Sequence, residues 1–351
     1  MTAPEIATSR ADGSGRAAVE SWVRFTFALP EPDPAVQARR LRGALELAQF
    51  ADRVGISGVR VDEHHATDFG WSPNPILEAG IFLAATERIK VKANAALGPL
   101  YDPVRLAEDI AVLDQLGGER FAVVFGLGYR PIEYAAMRRH FAERGRLMDE
   151  LLDTLLKAWS GEPFEYHGAT IRVTPIPATR PHPNVVVGGS AMATARRAVR
   201  FGLPLDLPAH LPEIKSYYEQ LCAEAGQTPR VTMARQGARG PIFLAEDPER
   251  AWAELGQYFL WEAVNYSRWS RADMSSYMHS TVQTIDQLRE SRVFNIQSPE
   301  QCVEVLKGDG AGARITFHPL CGGIPLDDAA ECLRLYAEKV MPALAATGAS
   351  L

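Results

Sequence analysis

The sequence predicts an α/β fold, and within that class a single (β/α)8 TIM barrel with an insertion or lid before the last strand. Three observations carry this. Short β-branched or aromatic runs each precede an amphipathic helical stretch, eight times over, and the order never reverses. The connections are all long enough for right-handed crossovers between parallel strands. The glycine fingerprint of a doubly wound dinucleotide fold is missing after the first strand. Gly126-Leu127-Gly128 follows the fourth instead, with neither a third glycine nor a ribose-binding acid.

Trp22 to Leu29 reads as the first strand, and Val36 to Val54 as its helix, with Leu41, Ala44, Leu45, Leu47 and Ala48 on one face and Gly55 as the stop. Val59 to Asp62 is the second strand. The helix after it opens near Ser72-Pro73 and packs through Ile76, Ala79, Gly80, Leu83 and Ala84. Ile89 to Ala96 is the third strand, and Asp102-Pro103 caps and opens a helix that ends at Gly117-Gly118. Phe121 to Phe125 leads through a Gly126–Pro131 loop into a long helix reaching Trp159, then a hairpin over Pro163–Pro177 turning at Gly168. Asn184 to Val187 feeds Gly188-Gly189-Ser190 and a helix from Met192 to Phe201. Leu203–Leu207 with Pro212–Ala225 forms the sixth unit, and Val231–Leu244 with Glu249–Trp261 the seventh. Asn265 to Arg292 loses periodicity and reads as the insertion or lid. Arg314–His318 is the last strand, and Asp327–Val340 a closing helix stopped by Pro342.

This gives one barrel domain over residues 21–346, preceded by a Gly-, Ser- and Ala-rich arm over residues 1–20 that has no apolar signal core. With 37 basic and 43 acidic residues the net charge is -6, and no basic face or basic cluster marks nucleic acid, a sulfonate or a phosphate. The longest apolar stretch, Ala79–Ala85, is too short to span a membrane. Cys222, Cys302, Cys321 and Cys332 form no closely spaced pair, as expected of reduced thiols in a cytoplasmic protein without a zinc site.

Catalytic groups of such barrels sit where strands end. Glu63, His64 and His65 stand there, either for proton transfer or as structural hydrogen-bonding groups. Neighbouring side chains on an extended segment point to opposite faces, so the two histidines do not converge on one metal ion. His318 ends the last strand and is expected to face the same pocket. Gly188-Gly189-Ser190 is either an ordinary βα turn or a phosphate cradle at a helix N-terminus. Trp71, Tyr101, Tyr129, Trp261, Tyr266 and Trp269 are candidates for an apolar pocket holding a flat ring or an apolar substrate. Asn94 interrupts an apolar strand, marking a bulge or a ligand contact.

Val61-Asp62-Glu63-His64-His65-Ala66-Thr67-Asp68-Phe69-Gly70 resembles the strand end of the bacterial luciferase-like flavin monooxygenases. The same resemblance runs, in order, through Pro103–Asp109, Leu113–Leu116, Gly118–Phe121, the Gly126–Gly128 loop with Glu133, Val185–Ser190 and Val340-Met341-Pro342, spanning Phe25 to Leu344. It implies a barrel, commonly a homodimer, that holds reduced FMN or, in one branch, coenzyme F420. It implies His64 and His65 as catalytic, a non-prolyl cis peptide at Asn94-Ala95 against the flavin, and Gly188, Gly189 and Ser190 at its phosphate. Glu63, Gly126 and Gly128 join the cofactor-binding set, and Trp71, Tyr101, Tyr129 and His318 the substrate pocket. The luciferases' reactive cysteine falls at Gly126 and their phosphate-binding arginine at Leu127, which argues against light emission from an aldehyde. Arg130 is then a replacement cation. The implied activity is oxygenation of a small, apolar substrate by O2 with FMNH2 from a separate flavin reductase. Hydride transfer with F420 is the alternative, and a non-catalytic flavin-binding protein a lower one.

Overall fold

A computed structural model of the chain describes residues 19–269, 280–310 and 312–346. In chain order its elements are β1 (Glu20–Phe25), α1 (Pro34–Val54), β2 (Gly58–Val61), α2 (Pro75–Ala85), β3 (Lys90–Leu97), α3 (Pro103–Gly117), β4 (Phe121–Gly126), α4 (Pro131–Ala136) and α5 (Arg144–Ser160). The hairpin β5 (Phe164–Tyr166) and β6 (Ala169–Ile171) follows, then β7 (Asn184–Gly188), α6 (Met192–Phe201), β8 (Leu205–Leu207), α7 (Pro212–Glu224) and β9 (Val231–Met233). The chain continues through β10 (Ile242–Leu244), α8 (Pro248–Ser267), α9 (Ile285–Ser291), β11 (Asn295–Gln297), α10 (Pro299–Asp309), β12 (Arg314–Phe317), α11 (Leu326–Leu335) and α12 (Met341–Ala346).

The helices start where their caps put them. Asp33, Asp102, Asp247 and Ser298 each accept backbone N–H groups at a helix N-terminus, with a proline directly behind. The main sheet is parallel throughout, in the order β11-β10-β12-β1-β2-β3-β4-β7-β8-β9. From β12 through β1 to β9 this is the order of neighbours expected of a (β/α)8 barrel, and among the described residues no ladder joins the end strands β11 and β9.

The first three strands alternate strictly. Val23, Phe25, Val59, Val61, Val91 and Ala93 are buried against the helices, whereas Trp22, Arg24, Arg60, Asp62, Lys92 and Asn94 face a cavity inside the sheet. The apolar core therefore lies between sheet and helices, and the lumen is polar. Barrels of this class commonly fill the lumen with branched apolar side chains.

Several expected boundaries move. The first strand ends at Phe25 because Phe27 adopts φ 61, which an extended strand does not tolerate. The long helix to Trp159 breaks into α4 and α5 at Arg138, φ 54. The seventh strand, expected over Val231–Leu244, splits into β9, paired with β8, and β10, paired with β11 and β12. Gly240 lies in the break, where an added Cβ would sit 1.6 Å from the Val293 carbonyl oxygen, so the chain there has no room for a side chain. The insertion begins later than Asn265, because α8 carries on to Ser267. The second half of its expected span contains α9, and β11 and α10 follow it as a further unit that the sequence pattern did not reveal. Pro342 does not stop the closing helix, since a π-helical turn at Tyr336–Val340 leads directly into α12. Residues 1–18 of the expected arm and 270–279 of the expected lid lie outside the described residues.

Candidate active site

The loop leaving β2 is tied down before any chemistry is placed. The His64 N–H donates to the Ser72 carbonyl at 3.0 Å, and the Ser72 N–H donates to the Thr26 carbonyl at 2.7 Å. Extended geometry then sends successive side chains opposite ways. His65 Nε2 meets Glu63 Oε1 at 2.6 Å, while Glu63 Oε2 accepts the Leu97 N–H at 2.6 Å. His64 turns the other way, and its Nδ1 lies 2.8 Å from Glu133 Oε1 on α4.

Glu133 is completely buried. Burial alone would raise its pKa. His64, the His65 N–H and Arg130 outweigh that and hold the carboxylate below the ordinary glutamate value. A carboxylate only accepts, so the Nδ1 proton of a neutral His64 ring stays on the Glu133 side and the Nε2 lone pair is left facing the Tyr129 hydroxyl, 3.3 Å away, and the cavity. Aromatic rings enclose the imidazole: Trp269 at 4.8 Å, Trp71 at 5.3 Å, Tyr129 at 5.6 Å and Tyr266 at 6.2 Å between centroids. Burial, with Tyr266 next, pushes the Tyr129 phenol well above its usual range, so it remains a donor.

The cavity has a volume of about 920 Å³, near the upper end of ordinary ligand sites. On one wall the peptide Asn94–Ala95 is cis and β3 carries a bulge there. Gly126 and Gly128 form the next stretch of wall. Beyond them Gly188, Gly189 and Ser190 lead into α6, whose N-cap Ala191 offers no side-chain oxygen to the first-turn N–H groups. Gly189 at φ 150 brings the chain so close to α6 that an added Cβ would lie 2.8 Å from Thr194 Oγ1. Arg144, at the start of α5, lines the same wall with its guanidinium 4.1 Å over the Phe141 ring. An uncapped helix start, a close backbone approach and a cation fit a phosphate monoester.

The structure thus brings Glu63, His64, Asn94, Ala95, Gly126, Gly128, Tyr129, Gly188, Gly189 and Ser190 to one cavity. Tyr266 of the expected apolar pocket lines it as well, whereas His65, Arg130, Trp71, Tyr101, Trp261, Trp269 and His318 do not. His65 is turned to Glu63. Arg130 donates to the carbonyls of His65 and Ala66 and to Glu133, and stacks 4.1 Å over Trp269, so its charge is spent behind His64 and not offered to a phosphate. Trp71, 2% exposed, packs behind His64, and Tyr101 is likewise absent from the lining. His318 is sealed in the wall: Nε2 lies 2.7 Å from Glu262 Oε1 and Nδ1 donates to the Arg24 carbonyl at 3.1 Å. Glu262, His318 and Cys321 are the one group of possible metal ligands among the described residues. The Glu262 oxygens already serve His318 and the Gly322 N–H, and Arg24 lies 4.0 Å off.

The sequence reading missed three things. Arg144 had no motif to announce it, and Glu133 entered only through the resemblance. The cations of the lumen were announced by the polar alternation of Trp22–Thr26, Gly58–Asp62 and Lys90–Asn94, because strands of a parallel sheet buried on both faces read as continuous apolar runs.

Residues 23–308 match the model of the luciferase-like monooxygenases. The chain belongs to this family. It is 33% identical over 167 residues to the FMNH2-dependent dimethylsulfone monooxygenase of Pseudomonas putida, covering 44% of this chain and 45% of that protein. It is 28% identical over 185 residues to the alkanal monooxygenase alpha chain of Photorhabdus luminescens, covering 50% and 51%. The chain thus spans about half the length of the curated relatives it matches. In fold it is similar to the oxygenating constituent of 3,6-diketocamphane monooxygenase from the CAM plasmid of Pseudomonas putida in complex with FMN, at a TM-score of 0.71 and 21% identity over 93% of this chain and 98% of that one. An F420-dependent secondary alcohol dehydrogenase has the same fold, at a TM-score of 0.64 and 17% identity over 93% and 99%.

Proposed function

We propose that this protein is a flavin-dependent monooxygenase that uses reduced FMN and O2 to oxidise a small organic substrate. The observation that carries the reading is the convergence on one cavity of a histidine with an oriented ring and an uncapped helix start behind a glycine turn. Ser190, the α6 N-terminus and Arg144 would hold the phosphate, and Asn94, Ala95, Gly126 and Gly128 the ring system. The bound flavin would supply the activation of oxygen.

The protein's own part is acid–base work and exclusion of water. His64 Nε2 takes or returns a proton at the cavity wall while Glu133 fixes the other nitrogen and balances the charge that results. The rings of Trp71, Tyr266 and Trp269 keep water from the imidazole. At the end of α8, Tyr266 lines the cavity, and Trp269 just beyond it lies against both His64 and Arg130, so the chain entering the expected lid covers the imidazole. A separate reductase supplies the flavin. One relative, from Acinetobacter baylyi, is named as the oxygenase component of a flavin-dependent trigonelline monooxygenase, which supports this reading.

A homodimer belongs to the same reading. Exposed Leu77 and Ile81 on α2, and Val112 and Leu116 on α3, form apolar pairs at helical spacing. Sedimentation at a protomer mass would refute it. Among the described residues no helix is long and apolar enough to cross a membrane, and a cytoplasmic location is part of the proposal.

Anaerobic titration with reduced FMN and reduced F420, followed by O2, tests the cofactor. FMN is expected to bind, with Arg144→Met weakening FMN by about tenfold and leaving riboflavin, which lacks the phosphate, unchanged. Preference for F420 with no reaction with oxygen would make the protein a hydride-transfer enzyme instead.

A further inference from the structure

Below the level of His64 and Asn94 the cavity continues into the lumen, and its lining there is charged. Arg24, Arg60 and Lys92 occupy one register row across β1, β2 and β3, and all three line the cavity. Neighbouring strands are about 4.8 Å apart, so the row sets three cations side by side. Strand pairing makes the row, and the same lining also carries Glu20, Asp62 and Asp206.

The three are not equally engaged. Arg24 is clamped to Asp62 Oδ2 at 2.6 Å, with Glu262 4.0 Å away on its other side. Lys92 makes no hydrogen bond or ion pair among the described residues. Its ammonium lies 4.7 Å over the Trp22 ring, and that ring packs so closely on β2 that an added Cβ at Gly58 would lie 2.3 Å from it. Asp206 on β8 also lines the cavity, yet no ion pair joins it to Lys92 among the described residues. Burial dominates both groups, pushing Lys92 below the usual lysine range and Asp206 above the usual aspartate range. An ammonium held on an aromatic face in a cavity, with no anion in contact, is a half-built anion site.

We propose that the lumen beneath the mouth binds the oxyanion, carboxylate or sulfonate in geometry, of the organic substrate, with Lys92 and Arg60 as its cations and the face of Trp22 as the apolar wall beside it. The inference rests on the proposed oxygenase reading and replaces the apolar substrate expected from the sequence with an anionic one. It also fixes a length. Two residues along a strand is about 7 Å, so the substrate's reacting atom lies about 7 Å above its anionic group. Lys92 and Arg60 recognise the charge, the mouth performs the chemistry, and neutral analogues of the same shape are rejected because they leave the Lys92 ammonium without an anion in contact.

The test uses the full chain without cofactor, titrated calorimetrically with benzoate and with its neutral isostere benzamide, while tryptophan fluorescence reports on Trp22. Benzoate is expected to bind at least about tenfold more tightly. Lys92→Met is expected to erase that preference and Lys92→Arg to restore it, with reduced FMN affinity unchanged in both. Equal binding of benzoate and benzamide overturns the proposal, as does Lys92→Met binding benzoate like the unaltered chain. So does a benzoate site that FMN displaces and Arg144→Met removes, since the anion then sits in the phosphate cradle. Loss of benzoate binding in Lys92→Met counts only with an unchanged thermal transition or with rescue by Lys92→Arg. Failure of the unaltered chain to bind either reduced cofactor would sink the oxygenase reading and leave the anion result standing on its own.

Discussion

Two histidines of this protein follow the ends of parallel strands, and each has a buried glutamate within 2.8 Å. His64 keeps one nitrogen on Glu133 and turns the other to the cavity. His318 spends both nitrogens, on Glu262 and on the Arg24 carbonyl, and stands 1% exposed in the wall. The carboxylates differ as well. Burial works against the charge of Glu262, but His318, Arg24 and the Gly322 N–H pull its pKa down to about 2. A catalytic histidine needs a free nitrogen, and a structural one needs none. In the proposed reading the same dyad serves reaction at the mouth and cohesion in the wall, and what separates the two is the nitrogen that His64 turns to the cavity and His318 does not.

Substitution of each histidine system breaks that comparison in opposite ways. His64→Ala is expected to lower turnover with reduced FMN and O2 by roughly a hundred- to ten-thousandfold, with the unfolding midpoint nearly unchanged. A comparable loss of stability would show His64 to be structural. Glu262→Ala is expected to do the reverse, costing about 3–5 kcal/mol in denaturant unfolding because it strands His318 and Arg24 in the interior. Unchanged stability would remove the cohesive role. Acid sharpens the same point. Glu262 has its folded pKa depressed, so its contribution is complete above the unfolded value of about 4.5 and is lost as pH falls from there towards about 2. The acid limb of the stability profile should flatten in Glu262→Gln.

Smaller effects follow at the supporting carboxylates. Glu133→Gln leaves the volume but removes the charge behind His64. It is expected to cost about tenfold in kcat and to move the pH profile of kcat, a shift that mere loss of packing would not produce. Glu78, beneath the loop that carries His64, accepts a hydrogen bond from Ser72 Oγ at 2.6 Å, and burial pushes it up to about 8. Its folded pKa is raised, so its contribution is complete below about 4.5 and is lost as pH climbs through about 8. Glu78→Gln should flatten that alkaline decline, the smallest of these changes, and a profile identical to the unaltered chain would refute it.

Much of this was legible in the chain. The βα order, the helix caps, the hairpin turn at His167-Gly168 and the glycine loop into α6 are local matters, written in periodicity, capping residues and backbone freedom. The π-helical turn that carries the chain past Pro342, the split of the seventh strand and the β11–α10 unit were not. Each depends on what a short segment packs against, and runs of three residues, such as Val231–Met233 and Ile242–Leu244, are too short to show a period.

The candidate site divides along the same line. Sequence by itself determined that Glu63, His64, His65 and the Gly188–Ser190 turn stand at strand ends, because a strand's direction and side-chain alternation are properties of the local chain. Only the tertiary structure decided that His64 opens on the cavity while His318 is sealed, and that Arg130 is spent behind His64 while Arg144 lines the cavity. It also gathered Arg24, Arg60 and Lys92, which lie more than thirty residues apart along the chain, into one row. The physical reason is that accessibility and electrostatic potential are sums over neighbours in space, and the pairing of the strands chooses those neighbours.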